Sequence, residues 1–219
     1  MHIPTVTHKG DLAALLVGLA VLVVSSLPID GVAVGGFEED VFRLLNDDLR
    51  LPYWPVWGLM QFGSVVAVYA CAAAALAYRR YRLTVALLLA GTVAWWAAKG
   101  VKALFDRPRP ADVLSGVELR HAPSEGLGFV SGHASVATAL AAAAWPWLGR
   151  TGRAVAVTLV VIVCLARIHV GAHLPLDVVG GIGLGLVVAA IVRFVVTPEP
   201  HRPAVTPPGP APAPAPEPS

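Results

Sequence analysis

Residues 154–196 read AVAVTLVVIVCLARIHVGAHLPLDVVGGIGLGLVVAAIVRFVV, two long apolar runs with a short polar interruption between them. The first run extends from Ala154 to about Ala172, and the second extends from Leu176 to Val196. Each run is long enough to cross about 30 Å of hydrocarbon as an α-helix. The sequence therefore predicts two membrane-spanning helices whose connection carries ionisable side chains.

The rest of the chain has the same character. Of its 219 residues, 56% are hydrophobic and 14% are charged, whereas soluble domains carry about 25% charged residues. Four further apolar runs extend from Leu12 to about Leu27, from about Trp54 to Tyr78, from Leu83 to Phe105 and from near Ser131 to near Leu148. We therefore predict an all-α, polytopic membrane protein with six transmembrane helices in a bundle. The net charge of +2 gives no reason to expect a nucleic-acid partner.

A short amphipathic helix is predicted at the membrane interface. Apolar side chains recur at helical spacing within residues 37–51, namely Phe37, Val41, Leu44, Leu45 and Leu49. Acidic residues occupy the other face, as expected of a helix that lies in the interface. The segment is either a connector that packs on neighbouring spans or a lid over a site that lipids reach sideways.

The last residues differ from the rest in composition. From residue 197 onward Pro and Ala alternate, and such a segment cannot bury a core. The chain is therefore expected to comprise a six-span membrane domain, residues 1–196, and a disordered Pro/Ala-rich cytoplasmic tail, residues 197–219.

Basic residues between the runs predict the orientation. Arg79, Arg80 and Arg82 lie between the second and third runs, and Arg150 and Arg153 lie between the fourth and fifth. Under the positive-inside rule these loops are cytoplasmic, and both termini lie on the same side. A composition rich in Arg, Ala and Val hints at a GC-rich bacterial genome. We therefore expect a multi-pass protein of a bacterial inner or plasma membrane.

Ionisable residues collect at the opposite, outer end of the predicted spans. They are Lys99, Lys102, His133, Arg167, His169, His173 and Asp177. A single one could reach the interface by snorkelling. Seven such groups from four spans at one depth indicate a functional site instead, because ionisable groups in a membrane are costly.

The cations and the loop before the fourth run suit a phosphate group. Guanidinium and ammonium groups bind phosphate oxygens, and four are available in Lys102, Arg107, Arg109 and Arg167. Ser131 and Gly132 stand where a loop enters a helix. The free backbone N–H groups of a helix start attract anions, and glycine lets an anion approach closely.

The remaining polar residues can perform phosphoryl transfer. His133 and His173 can act as general acid and nucleophile. Asp177 lies one helical turn after His173, where it can accept an imidazole N–H and hold the ring. We expect no metal or other cofactor, because no carboxylate cluster accompanies the histidines. A zinc pair of His169 and His173 is the alternative, although no convincing third ligand is evident.

Three motifs resemble those of a known family. Lys102, six residues and then Arg109-Pro110 resemble the first signature of the type 2 phosphatidic acid phosphatase superfamily. Ser131-Gly132-His133 resembles the second, and Arg167, five residues, His173, three residues and Asp177 resemble the third. The motifs cover about 75 residues, and the predicted spans extend the likeness over most of the chain.

The resemblance implies a mechanism without a metal. His173 attacks phosphorus and forms a phosphohistidine, Asp177 orients it, and His133 protonates the leaving oxygen. The phosphoryl oxygens are held by Lys102, Arg109, Ser131, Gly132 and Arg167. Val130 replaces the usual proline of the second signature, and Ala166 replaces the usual serine before Arg167. All the positions that carry the chemistry remain, so we expect an active enzyme.

The expected activity is hydrolysis of a membrane lipid phosphate or diphosphate. Polyprenyl diphosphate, phosphatidylglycerol phosphate and phosphatidic acid are the candidate substrates, and family habit favours the first. Two alternatives stay open, a phosphotransferase of the same family and a non-catalytic protein that binds or transports lipid headgroups. Vanadate peroxidase chemistry on the same fold is disfavoured by the six predicted spans.

Overall fold

Helices account for every regular element in the computed structural model, which describes residues 8–29, 33–49 and 51–196. The helices are α1 (His8–Ser26), α2 (Gly36–Arg43), α3 (Tyr53–Met60), α4 (Val65–Ala77), α5 (Tyr81–Phe105), α6 (Pro110–Val113), α7 (Gly132–Ala144), α8 (Arg150–His169) and α9 (Pro175–Val196). The all-α prediction is confirmed. The predicted tail, residues 197–219, lies outside the described residues.

Four of these helices are long and apolar enough to cross a bilayer, namely α1, α5, α8 and α9. The predicted second span is broken, because α3 and a 3₁₀ turn, Gln61–Gly63, meet α4 at an angle of 64°. The bend falls at Ser64, which has an extended backbone. With this pair counted as one bent span, length and composition support up to five spans.

The predicted fourth span is the short helix α7. It has 13 residues, about 20 Å of helix at 1.5 Å per residue, followed by a 3₁₀ turn, Trp145–Trp147. Helices α5, α8 and α9 pack around it, so even its polar Ser135 and Thr138 are buried. A helix enclosed by protein does not need a lipid-facing apolar surface, which explains the polar start of this run. The count of six spans therefore stays a prediction.

Glycines bring α9 close to its neighbours. A Cβ added at Gly181 would lie 2.7 Å from the carbonyl oxygen of Ser131, and one added at Gly185 would lie 2.6 Å from that of Ser135. A Cβ at Gly183 would lie 2.8 Å from the carbonyl oxygen of Gly18 in α1. Small residues allow such backbone contact between membrane helices. The contact holds the start of α9 beside the start of α7.

The predicted amphipathic segment is helical over most of its length. Helix α2 continues into a π-helical turn, Leu44–Asp48, and ends there. Three members of the predicted apolar face are exposed: Phe37, at 84%, Leu44 and Leu49. Exposure of these apolar side chains is as expected of a helix whose apolar face lies in the membrane interface.

A second row of side chains on α2 faces the bundle instead. Glu38, Phe42 and Asn46 recur every four residues and are all buried. The amide of Asn46 donates to the carbonyl oxygens of Glu118 and His169, each at 3.0 Å. Two of the three inward residues are polar, so the face that packs on the bundle differs from the apolar face of the segment. Polar partners within the protein determine which face of α2 is buried.

Candidate active site

All eight predicted site residues lie where α5 and α8 end and where α7 and α9 begin. Lys102 is in the last turn of α5 and Arg167 is in the last turn of α8. The others lie at the start of α6 (Arg109), α7 (Ser131, Gly132 and His133) and α9 (Asp177), or in the turn between α8 and α9 (His173).

The start of α7 presents backbone N–H groups at this end of the bundle. Ser131 is its N-cap residue, but its side chain makes no capping hydrogen bond. The Ser131 N–H donates to the carbonyl oxygen of Asp177 at 2.8 Å. The Ser135 hydroxyl donates to the carbonyl oxygen of Ser131 at 2.9 Å. The first N–H groups of a helix have no partner within it, so α7 offers an anion-binding terminus here.

His173 and Asp177 form a buried pair. The Nδ1 atom of His173 lies 3.4 Å from Oδ2 of Asp177, and the same oxygen accepts the Leu174 N–H at 2.9 Å. With Nδ1 turned to the carboxylate, the Nε2 lone pair is the one available for attack. Burial, together with the positive charge of Arg167, holds the pKa of His173 well below its usual range. These surroundings favour the neutral form of the ring.

Positive charges surround the two histidines. His133 lies within electrostatic range of Arg109 and Arg167. His173 lies within range of the same two residues and also of Lys102 and His133. The structure therefore brings both histidines and three of the predicted phosphate-binding cations into one cluster.

Lys102 also anchors the loop between α6 and α7, residues 114–131. Its ammonium donates to the carbonyl oxygens of Leu127 at 2.5 Å and Gly128 at 2.7 Å. An ammonium has three hydrogens, so one remains for an anion. Lys102 therefore joins loop and site, a double role that its motif spacing does not reveal.

Three donors of the cluster are buried without a partner in the described part of the chain. They are Nε of Arg109, Nε of Arg167 and the hydroxyl of Ser131. The Nη1 atom of Arg109 donates to the carbonyl oxygens of Ala172 at 3.1 Å and Pro123 at 3.4 Å, and Nη1 of Arg167 lies 3.6 Å from the sulfur of Met60. Buried donors normally have acceptors, so this arrangement suits an incoming phosphate.

Arg107, predicted as a further phosphate-binding cation, is used differently. Its Nη1 donates to Oδ1 of Asp177 at 2.9 Å, and its Nη2 donates to Oε2 of Glu38 at 2.7 Å. Both ion pairs are buried. The prediction for Arg107 was wrong because two carboxylates already occupy its guanidinium. Glu38 was missed altogether, since its place in the first turn of α2 suggests only a favourable helix-dipole position.

Two predicted members of the cluster lie apart from it. Lys99 is exposed, with its ammonium 4.5 Å from the ring centre of Trp96. The Nδ1 atom of His169 lies 2.9 Å from the carbonyl oxygen of Leu45, so His169 ties α8 to the segment after α2. Within residues 8–29, 33–49 and 51–196, no three His, Cys, Asp or Glu side chains are grouped as metal ligands.

The two departures from the family motifs lie in apolar surroundings. Val130 is fully buried and belongs to the main hydrophobic cluster. Ala166 packs in a smaller cluster with Val56 and Met60 of α3. Since the sulfur of Met60 also contacts Arg167, α3 occupies the surroundings of this arginine. A serine hydroxyl at position 166 would lie next to these apolar side chains.

A glycine in the loop between α6 and α7 lies against the Asp177 carboxylate. A Cβ added at Gly128 would lie 2.9 Å from Oδ2 of Asp177 and 2.9 Å from the carbonyl oxygen of Pro108. We expect Gly128→Ala to lower the free energy of unfolding in detergent by about 1–3 kcal/mol, because overpacking forces a buried group to move. Gly100→Ala is the matched control, since a Cβ there meets nothing within 4 Å. Equal thermal unfolding of the two variants would contradict this account.

Comparisons with known proteins agree with this architecture. The model of the PAP2 superfamily matches residues 81–199. The fold resembles the crystal structure of Aquifex aeolicus LpxE, with a TM-score of 0.66 and 23% identity over 74% of this chain and 98% of that one. It also resembles the first transmembrane PAP2 type phosphatidylglycerolphosphate phosphatase from Bacillus subtilis, with a TM-score of 0.65 and 22% identity over 88% of this chain and 98% of that one.

Among curated proteins, none matches this chain significantly. The family model covers more than half of the chain, and the residues it spans contain all three motifs. The protein therefore belongs to the PAP2 superfamily, which its motifs resemble, and it is a helical membrane protein.

Proposed function

We propose that this protein is an integral-membrane phosphohydrolase that removes a phosphate from a lipid phosphate or diphosphate. The main support is that buried donors on Arg109, Arg167 and Ser131 have no hydrogen-bond partner among the residues that the structure describes. These donors lie at the helix ends that hold the His173–Asp177 pair. Fixed donors for phosphoryl oxygens beside a neutral imidazole are what transfer through a covalent intermediate requires.

In the first step, Nε2 of His173 attacks phosphorus and the bond to the leaving oxygen breaks. Arg109, Arg167, Lys102 and the N–H groups at the start of α7 stabilise the charge on the phosphoryl oxygens. His133 donates a proton to the leaving oxygen. Asp177 accepts a hydrogen bond from the Nδ1–H of His173 and stabilises the positive charge that the ring gains.

In the second step, water attacks the phosphohistidine and the bond between nitrogen and phosphorus breaks. His133, now neutral, accepts the proton from water. Inorganic phosphate leaves and His173 returns to its starting form. Each step uses groups of the chain alone, so we propose that the reaction needs no metal.

We propose an amphiphilic substrate that reaches the site from the bilayer. Large apolar side chains are exposed on the outer faces of the long helices, for example Leu16, Trp96 and Val157, as expected of lipid contact. Polyprenyl diphosphate, phosphatidylglycerol phosphate and phosphatidic acid combine a phosphate with such a lipid anchor. The phosphatidylglycerolphosphate phosphatase of similar fold supports including the second of these.

The site is proposed to face outward in a bacterial inner or plasma membrane, with both termini cytoplasmic. Arg79 and Arg80 lie between α4 and α5, and Arg150 begins α8, so all three are at the bundle end opposite the site. The positive-inside rule places that end in the cytoplasm. We expect a membrane-impermeant thiol reagent to label Arg80→Cys from the cytoplasmic side and Ser124→Cys from the outer side. Labelling of both variants from the same side would contradict this orientation.

Phosphate release from a purified sample in detergent tests the proposed function. The three lipid phosphates are supplied separately, with and without a metal chelator, and His173→Ala is the matched inactive control. We expect release by the wild type alone and no effect of the chelator. Transfer of phosphate to an added lipid acceptor would indicate a phosphotransferase. Binding without any release would indicate a non-catalytic headgroup-binding protein.

A further inference from the structure

Glu38 lies outside the three family motifs but inside the site. It belongs to the first turn of α2 and is only 7% exposed. Its Oε1 accepts the backbone N–H of Leu176 at 2.9 Å and a hydrogen from Nη1 of Arg107 at 3.2 Å. Its Oε2 accepts a hydrogen from Nη2 of Arg107 at 2.7 Å. A carboxylate of the connector therefore contacts both a site arginine and the start of α9.

The contacts form a continuous chain toward His173. Arg107 donates to Glu38 with both Nη atoms and to Asp177 with Nη1. Asp177 in turn lies next to Nδ1 of His173 through its other oxygen. Each member is buried, with Arg107 at 3% and Asp177 at 0% exposure. Buried charges interact strongly when they are paired and hydrogen-bonded.

Glu38 determines which hydrogen bonds Arg107 makes to Asp177. A guanidinium can bind one carboxylate with two parallel hydrogen bonds. Here Glu38 takes that two-point contact, and Asp177 receives a single bond from Nη1 to Oδ1. Oδ2 of Asp177 therefore stays with His173 and the Leu174 N–H. Without the negative charge of Glu38, Arg107 is free to engage both oxygens of Asp177 and to compete with His173.

We propose that Glu38 is a positioning residue that acts through Arg107 to hold Asp177 in the orientation that supports His173. The inference rests on the proposed phosphohydrolase function, since the readout is phosphoryl transfer. It makes α2, which lies outside the matched part of the chain, a functional part of the site.

The expected effect of Glu38→Gln is on the chemical step. Gln keeps the size of the side chain but removes its charge. We expect kcat to fall roughly 10-fold. This is the low end of the losses of about 10–100-fold seen when the residue that hydrogen-bonds a metal ligand from behind is removed. KM should change less than twofold, because Glu38 is not placed to contact the substrate. Glu39→Gln is the matched control, since Glu39 carries the same charge on the same helix but pairs with Arg43.

A double-mutant cycle separates positioning from structural support. If Glu38 acts through Arg107, Glu38→Gln combined with Arg107→Gln loses no more kcat than Arg107→Gln alone. A purely structural tie between α2 and α9, through the Leu176 N–H, would give multiplied losses. Glu38→Asp keeps the charge on a shorter side chain, so it should retain more of kcat than Glu38→Gln. This third variant keeps the test valid if either Gln variant fails to fold.

Three outcomes would overturn the role of Glu38. They are a kcat of Glu38→Gln equal to that of Glu39→Gln, multiplied losses in the cycle, and equal losses in Glu38→Asp and Glu38→Gln. All of them require an active wild type. An inactive wild type that forms no phosphohistidine would instead contradict the proposed function, so the two failures are distinguishable.

Discussion

His173→Ala is expected to abolish labelling of the protein by a phosphate-labelled lipid and to lower phosphate release by at least about 10⁴-fold, as when a catalytic nucleophile is removed. Among the described residues, His173 is the histidine of the cluster whose ring nitrogen lies beside a carboxylate, with Nδ1 at 3.4 Å from Oδ2 of Asp177. Without His173 the site lacks the atom that we propose carries the phosphoryl group. The residual donors could still bind the substrate, so affinity should fall far less than rate.

The measurement is rapid quenching in alkaline detergent, because phosphohistidine is lost in acid. His121→Ala is the control, since His121 is exposed, stacks on Tyr53 and lies outside the cluster. It should label and turn over like the wild type. Full labelling of His173→Ala would remove this residue from the nucleophile role and make His133 the next candidate.

The motif residues could be predicted from sequence because short spacings on helices translate directly into geometry. His173 and Asp177 are four residues apart across the start of α9, a spacing that brings their side chains together when the turn leads directly into the helix. Ser131 and Gly132 begin a helix after a polar loop, and the structure has α7 begin there. The glycines of α9 bring these two helix starts together.

Contacts between distant segments could not be predicted in the same way. Glu38 and Arg107 are 69 residues apart, and no local pattern links them. The hydrophobic periodicity of residues 37–51 does not identify the face that packs on the bundle, because two of the side chains buried there, Glu38 and Asn46, are polar. Arg107 and Arg109 are arginines of the same loop, and the sequence does not distinguish them. In the structure two carboxylates hold Arg107, whereas carbonyl oxygens hold Arg109.

Hydropathy alone could not predict the bend and the short helix within two of the predicted spans. The run Trp54–Tyr78 is apolar throughout, but it bends by 64° at Ser64. The 3₁₀ turn before the bend packs against α7, and a Cβ at Gly63 would lie 2.5 Å from the carbonyl oxygen of His133. Hydropathy reports how apolar a run is and carries no information about such a close contact.

His133→Gln is expected to slow the enzyme by an amount that depends on the leaving group. His133 begins α7, within electrostatic range of the cations around His173, and we propose that it protonates the leaving oxygen. Phosphatidic acid must release an alkoxide-like oxygen, which needs the proton. A diphosphate releases a phosphate oxygen, which is already a weak base. We expect the rate of phosphate release to fall roughly 10³-fold with phosphatidic acid, which is within the range of general acid catalysis. With polyprenyl diphosphate we expect a fall of roughly 10-fold, which is below that range.

Asp177→Asn is the comparison that makes this test specific. Asp177 contacts His173, so its loss weakens the nucleophile and should slow both substrates by the same factor while labelling still occurs. Rates of phosphate release and of label formation are measured for both substrates with each variant. Equal losses for His133→Gln on the two substrates would mean that His133 binds the phosphoryl group and does not protonate the leaving oxygen. A difference confined to phosphatidic acid would identify His133 as the acid, because only leaving-group protonation distinguishes the two substrates at the same phosphorus.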